Sequence, residues 1–528
     1  MAARNIAGRA GLDGNVVDYL YGNALKPENI NRPYLIGDDR NTSFGEQYAL
    51  ACRYGNYLKS IGLKPGDRMI MSLMDGPEFV GMFTGAIKIG VVPLPLNTYL
   101  RPRDYLYYLN DSEAKACFID TSLVKLIDEI RPNIKTVRYF GVLGADAKGY
   151  ERVEPLAAQQ PTDLETFPRH PDDPAFWLYS SGSTGDPKGV VHTHDHLYWA
   201  TELSGFNGFD IKAGDIVSSP PKMFFAFGLG GQVYFPLRAA ASTLCSPTPI
   251  TPRRIWDQWI KHPPTVGMGV PTLFAGMLQL AEKEIGQDKA RAACARFKRL
   301  ISAGEILPAA LLHRWKDYTG VELLDGVGTT EMTHMFLVNQ PGKAVPGSCG
   351  KVIEGFRYEI VDDDFKPVKR GEIGNLHMIG PSAATLYWNK PEKTAATMGR
   401  GGVVTGDKVY EDEHGNLFMV GRGDDMLRVG AIWVSPAEVE GAIVSHPAVS
   451  EAAVVGHEDS EQLIKPKAFV ILRDPAAHPD KAALEAEIKE HVRNQLPGAK
   501  VPRWVEFVGE LPKTATGKIQ RFRLRQPS

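Results

Sequence analysis

Hydrophobic and polar positions along the chain change period repeatedly, from helix-like spacing to short apolar runs. Ser43-Phe44-Gly45-Glu46 has the S-x-x-E form of a capping box and predicts a helix that stops at Gly62. Residues 68–73 read as a buried strand, 77–89 as a second helix closed by Gly90, and Val91-Val92 as the next strand. Such alternation predicts α/β layers around a largely parallel sheet. No repeat or low-complexity tract interrupts it.

The pattern restarts near Gly421. The Gly- and Asp-rich string Gly421-Arg422-Gly423-Asp424-Asp425 follows a predicted strand over 417–420. Ser435-Pro436-Ala437-Glu438 is a second capping box with Pro at the first helical position. Residues 452–455 and 468–472 read as strands. Leu484, Ile488, Val492 and Leu496 recur every fourth residue and mark one helix face. A small α+β domain of roughly 100 residues is expected here. The expected division is 1–423 and 424–528, with the boundary at Asp424.

Bulk properties narrow the function classes. A chain of 528 residues exceeds one ordinary core, and 43% hydrophobic with 23% charged residues is a globular composition. A net charge of -2 predicts no general attraction to nucleic acid or anionic membrane. The five cysteines lie far apart with no CxxC spacing, which predicts free thiols in a reducing cytosol. The first fourteen residues lack the apolar core of a signal peptide, and Gln526-Pro527-Ser528 is no peroxisomal address. The most apolar stretch, 223–237, is shorter than a membrane span and is broken by glycines and Gln232. A soluble cytoplasmic protein is the expectation.

The chemistry begins after a short apolar run at 175–179, read as a buried strand. Next comes Ser180-Ser181-Gly182-Ser183-Thr184-Gly185-Asp186-Pro187-Lys188-Gly189. Glycines let backbone approach an anion, hydroxyl and N–H groups donate to phosphate oxygens, and Lys188 adds positive charge. The spacing is not that of a Walker A loop, because two residues separate Gly185 from Lys188 and a glycine follows the lysine.

This string resembles the signature loop of the adenylate-forming superfamily of acyl-CoA synthetases, carrier-protein adenylation domains and luciferases. The resemblance continues along nearly the whole chain. Ser302-Ala303-Gly304-Glu305 looks like the adenine-contacting turn, and Asp325-Gly326-Val327-Gly328-Thr329-Thr330-Glu331 resembles the Tyr-Gly-x-Thr-Glu region. The match implies that Thr330 contacts the adenylate phosphate and that Glu331 holds the Mg²⁺ of ATP. Val327 stands where an aromatic residue usually stacks on adenine. Thr405-Gly406-Asp407 is similar to the ribose motif, with Asp407 accepting from both hydroxyls. Arg422 and Asp424 match the arginine and hinge aspartate of the next motif. Pro512-Lys513-Thr514-Ala515-Thr516-Gly517-Lys518-Ile519 matches the C-terminal motif, with Lys518 as its catalytic lysine.

The resemblance implies an α/β fold: a large N-terminal domain of layered sheets with a β-barrel-like subdomain, and a small mobile C-terminal domain. It also implies two half-reactions. A carboxylate attacks the α-phosphorus of ATP, with Lys518 bridging the reacting groups and pyrophosphate leaving. The small domain then rotates about Asp424, bringing the 427–431 loop against the acyl centre, and a thiol displaces AMP. Gly430 would line the thiol tunnel, where Ala431 replaces a second common glycine.

Lys222-Met223-Phe224-Phe225-Ala226-Phe227-Gly228-Leu229-Gly230 closely resembles the corresponding segment of benzoate-type CoA ligases. Phe225 stands where many relatives place a gating histidine, Phe227 is expected to form a pocket wall, and Phe224 and Phe235 are read as core. Aromatic residues interleaved with Ala226 and Gly228 suit a flat ring. Thr333 and His334 are expected on the opposite wall, where they either read a ring substituent or pair with backbone. The expected activity is an ATP- and Mg²⁺-dependent aryl-acid:CoA ligase for benzoate, a hydroxybenzoate or 2-aminobenzoate. The alternative is an adenylation enzyme that loads a carrier protein. A homodimer is a family-level expectation.

Overall fold

The computed structural model describes residues 11–180, 186–423, 425–429, 432–459, 463–513 and 519–525. Compactness divides the chain into two units, 1–358 with 378–403, and 359–377 with 404–528. The second unit therefore takes in chain ahead of the expected boundary at Asp424. The reason is β pairing: Val403–Glu411 runs antiparallel to Leu417–Arg422, and both join one four-stranded sheet with Arg357–Val361 and Gly374–Ile379.

In the first unit a nine-stranded sheet and a five-stranded sheet carry the α/β layers. The predicted opening elements form as read. Ser43 caps the helix Phe44–Ser60 with both bonds of the capping box present, and the chain leaves it through Gly62 at φ +86°. Arg68–Ser72 is a buried strand paired in parallel with Val92–Pro95 and Ala116–Asp120. The helix Pro77–Lys88 between them is buried along most of its length and ends against Gly90, also at positive φ. Trp256, Trp259 and Trp315 anchor a second core between the helices Pro252–Lys261, Pro271–Leu280 and Ala309–Thr319.

The second unit has its own core. Val449–Glu458 and Ile464–Leu472 pair antiparallel, Trp504–Phe507 adds in parallel, and Leu484, Ile488 and Val492 of the helix Lys481–Arg493 pack on them. Leu496 lies beyond the helix end, packed against the same core. The second capping box forms only by half. Ser435 accepts from the Glu438 N–H at 3.3 Å, while the Glu438 carboxylate takes the Lys500 ammonium at 2.6 Å. A charge-assisted pair wins over a bond to a neutral N–H. All five cysteines are free and buried. Among the described residues no helix is long and apolar enough to cross a membrane.

Candidate active site

The nine-stranded sheet brings chain-distant segments to one edge. Val217 pairs with Val266, Val266 with Arg299, and Ile301 with Leu324, all in parallel. The carboxyl ends of Ile216–Ser218, Val266–Gly269, Arg299–Ala303 and Leu323–Gly328 therefore point the same way, and open parallel sheets bind ligands outside such ends. The aromatic segment leaves the first of these strands. Ala303, Gly304 and Glu305 leave the third, with Gly304 at φ +89°, and Asp325 through Thr329 close the fourth. Ser302 pairs with Asp325 and Ala303 with Gly326, so the 302–305 and 325–331 strings are neighbours by register. Burial pushes the Asp325 carboxyl up to about 8, against the lowering effect of the Gly326 and Leu307 N–H groups. Val327 is buried, and Gly328 is exposed.

The phosphate string spans a hairpin. Pro174–Ser180 and Lys188–Thr193 pair antiparallel with Ser180 directly opposite Lys188, so the flanks of the loop are fixed by sheet register. Ser181, Gly182, Ser183, Thr184 and Gly185 lie outside the described residues. Thr330 and Glu331 sit in a one-turn 3-10 helix capped by the Thr329 hydroxyl. Glu331 Oε1 accepts from Ser180 Oγ at 3.0 Å and from the Tyr387 hydroxyl at 2.8 Å. Sequence reasoning missed Tyr387. Its local signal, the aromatic pair Tyr387-Trp388 ahead of the Pro391 helix start, does not reveal a partner 56 residues away.

Thr333 follows at φ +68° and ψ −41°, an outlying conformation for a β-branched residue. Its hydroxyl donates to the Ser382 carbonyl at 2.8 Å. A hydroxyl has one proton, so His192 Nδ1, 3.1 Å away, must donate to the Thr333 oxygen. In the structure the Thr333 hydroxyl is paired within the protein. His334 is similar: its Nε2 lies 3.2 Å from the Phe227 carbonyl and can only donate there. Burial drives the His334 ring down to about 3, against the raising effect of that bond. The ring is neutral, sits among Phe209, Phe227, Tyr234 and Phe235, and its Nδ1 has no partner among the described residues.

The aromatic segment divides as read. Phe224 and Phe235 are core at 5% and 1% exposure, whereas Phe225, Ala226 and Phe227 are partly exposed. Two glycines permit this shape. A Cβ on Gly228 would lie 2.1 Å from the Lys222 carbonyl oxygen, and one on Gly230 would lie 2.4 Å from His334 Cδ2. Beneath the segment is a buried ion pair absent from the sequence reading. Asp75 accepts from the Met223 N–H at 3.0 Å and faces Lys222 Nζ at 3.4 Å, and Lys222 also donates to the Ser246 and Thr248 carbonyls. Burial raises the Asp75 carboxyl, opposed by the Lys222 charge.

Asp407 and Arg422 belong to the second unit. They are paired there, Arg422 Nη1 to Asp407 Oδ1 at 3.0 Å, with Asp407 buried and Arg422 half exposed. Asp424, Gly430, Ala431 and Lys518 lie outside the described residues.

Comparison with known proteins identifies the family. The AMP-binding enzyme family matches residues 24–388, and the AMP-binding enzyme C-terminal domain matches 438–518. A benzoate–CoA ligase of Thauera aromatica is 41% identical over 513 residues, covering 97% of this chain and 95% of the relative. The crystal structure of the anthranilate CoA ligase AuaEII with anthranoyl-AMP superposes with a TM-score of 0.89 at 38% identity, covering 97% of this chain and 96% of that one. A benzoate CoA ligase structure from Burkholderia xenovorans LB400 gives 0.87 at 37% identity, covering 97% and 100%. Both domains and nearly the full length are thus accounted for, and the chain belongs to the AMP-binding enzyme family of adenylate-forming, acid–thiol ligases.

Proposed function

We propose that the protein is an ATP-dependent aryl-acid:CoA ligase. The acid attacks ATP to give an aryl-adenylate and pyrophosphate, and the coenzyme A thiol then displaces AMP to give the thioester. The observation that carries the substrate class is the His334–Phe227 hydrogen bond. It joins the segment bearing Glu331 to the partly exposed aromatic segment, so an apolar ring wall adjoins the phosphate chemistry. The relatives that act on benzoate and anthranilate support the same class. Five buried free cysteines support a reducing cytoplasm as the working compartment.

Glu331 suits a hard cation: it is a partly exposed carboxylate oriented by two hydroxyl donors and next to the phosphate hairpin. Mg²⁺ bound to ATP would be held there and would neutralise phosphate charge. Around it, Ser180 and Lys188 hold the flanks of the phosphate loop, and Asp325 and Gly326 bring the adenine turn into register. Lys518 for the first step, and Asp424 and Gly430 for the second, take the roles implied by their motifs.

The test is a pyrophosphate-release screen over aromatic and aliphatic acids, with coenzyme A or a holo carrier protein as acceptor. Single-ring aryl acids with coenzyme A should give the fastest turnover. Faster use of a medium-chain fatty acid would refute the substrate class. Transfer to the carrier protein but not to coenzyme A would refute the acceptor.

A further inference from the structure

We propose that Tyr387 is a positioning residue for adenylation, one that links the phosphate-loop lysine to the carboxylate of Glu331. The inference rests on the adenylation reading above but not on the choice of acid. Lys188 Nζ lies 3.4 Å from the Tyr387 hydroxyl and 4.5 Å from its ring centroid. The same hydroxyl lies 2.8 Å from Glu331 Oε1. An ammonium has no lone pair, so the tyrosine oxygen accepts from Lys188 and its single proton goes to Glu331. The direction of both bonds is therefore fixed, and one oxygen atom contacts both the lysine and the carboxylate.

The ring itself is held. Tyr387 is 3% exposed, its N–H donates to Thr394 Oγ1 at 2.9 Å, and it bridges to Val190 of the phosphate hairpin. The Ala384 N–H holds the Glu331 carbonyl at 2.7 Å, so the same short segment grips Glu331 by backbone and by side chain. A neutral hydroxyl between a cation and an anion orients both while leaving each its charge. That is what a site needs when Lys188 is to meet phosphate and Glu331 is to meet a cation.

Tyr387→Phe keeps the ring and the cation–ring contact and removes only the hydroxyl. Binding of a non-hydrolysable ATP analogue is titrated with Mg²⁺, and half-saturating Mg²⁺ should rise about tenfold or more, the order expected for a hydrogen bond to a charged group. Acid-dependent pyrophosphate release should fall by a similar factor, while thiol attack on a preformed acyl-adenylate should be unchanged. Unaltered Mg²⁺ dependence in a folded variant, or equal slowing of both steps, overturns the proposal. If Tyr387→Phe does not fold, 3-fluorotyrosine at position 387 keeps the packing and strengthens the O–H donor. The Mg²⁺ midpoint should then move, and a fixed midpoint overturns the proposal. A wild-type protein that releases no pyrophosphate with any acid would instead defeat the adenylation reading.

Discussion

Thr333→Val separates the two roles open to Thr333, pairing within the protein and reading a ring substituent. The substitution keeps shape and β-branching and removes one hydroxyl. In the structure that hydroxyl is fully committed, donating to the Ser382 carbonyl at 2.8 Å and accepting from His192 Nδ1 at 3.1 Å, with Thr333 only 1% exposed. Valine leaves a buried carbonyl and a buried N–H without this partner, at ~1–3 kcal/mol each, so a loss of about 2–6 kcal/mol is expected. A unit of roughly 400 residues unfolds with an entropy near ~0.8 kcal/mol/K, so its Tm should drop by about 3–8 °C. Thr333→Ser keeps the hydroxyl and should recover most of that loss. The ratio of kcat/KM for substituted over plain benzoate should stay within about twofold in both variants, since a hydroxyl bonded inside the protein contributes equally to both acids. The assay is scanning calorimetry alongside pyrophosphate release with benzoate and 2-aminobenzoate. An unchanged Tm together with a tenfold change in preference would refute the reasoning and place the hydroxyl against the substrate.

Asp75→Asn should cost about 3–5 kcal/mol in denaturant unfolding, because Lys222 is then a buried charge facing a neutral amide. Adding Lys222→Met should recover part of it, and a double variant less stable than the single one would show that the pair acts otherwise. The Asp325 carboxyl is raised to about 8 in the fold, so its stabilisation is complete below the unfolded value near ~4 and is lost as pH rises through 8. Asp325→Asn cannot ionise, so its stability relative to wild type should climb between about pH 4 and 8 and then level off; parallel pH profiles would contradict this. His334 is depressed to about 3, so its contribution is present above about pH 6.5 and is lost as pH falls, by ~1.4 kcal/mol per pH unit. His334→Gln keeps a donor for Phe227 and should flatten that acid limb in a Tm-against-pH series. Lys518→Ala should slow acid-dependent pyrophosphate release on the order of 10²–10³-fold and spare thioester formation from preformed adenylate. Asp424→Pro, by fixing φ, should do the reverse; equal effects on both steps would remove the roles assigned to these two residues.

What the sequence determined by itself are features set within a few residues of chain. The Ser43–Glu46 capping box, the strand at Arg68 and the positive-φ glycines 62 and 90 follow from local sterics and short hydrogen bonds, and all formed as read. The four-residue spacing of Leu484, Ile488 and Val492 fixes the buried face of its helix for the same reason. The motif strings are equally local, which is why the family was legible before any fold. Only the tertiary structure decided which side chain meets which. Glu438 left half of its capping box for Lys500, 62 residues on. Thr333 donates a hydrogen bond to the Ser382 carbonyl, 49 residues on, and accepts one from His192, 141 residues back. Tyr387 reached Glu331 and, across 199 residues, Lys188. These choices depend on sheet register and on which polar groups are buried together. A buried polar atom takes the best partner that packing brings to it, and nothing in the nearby sequence says which one that is.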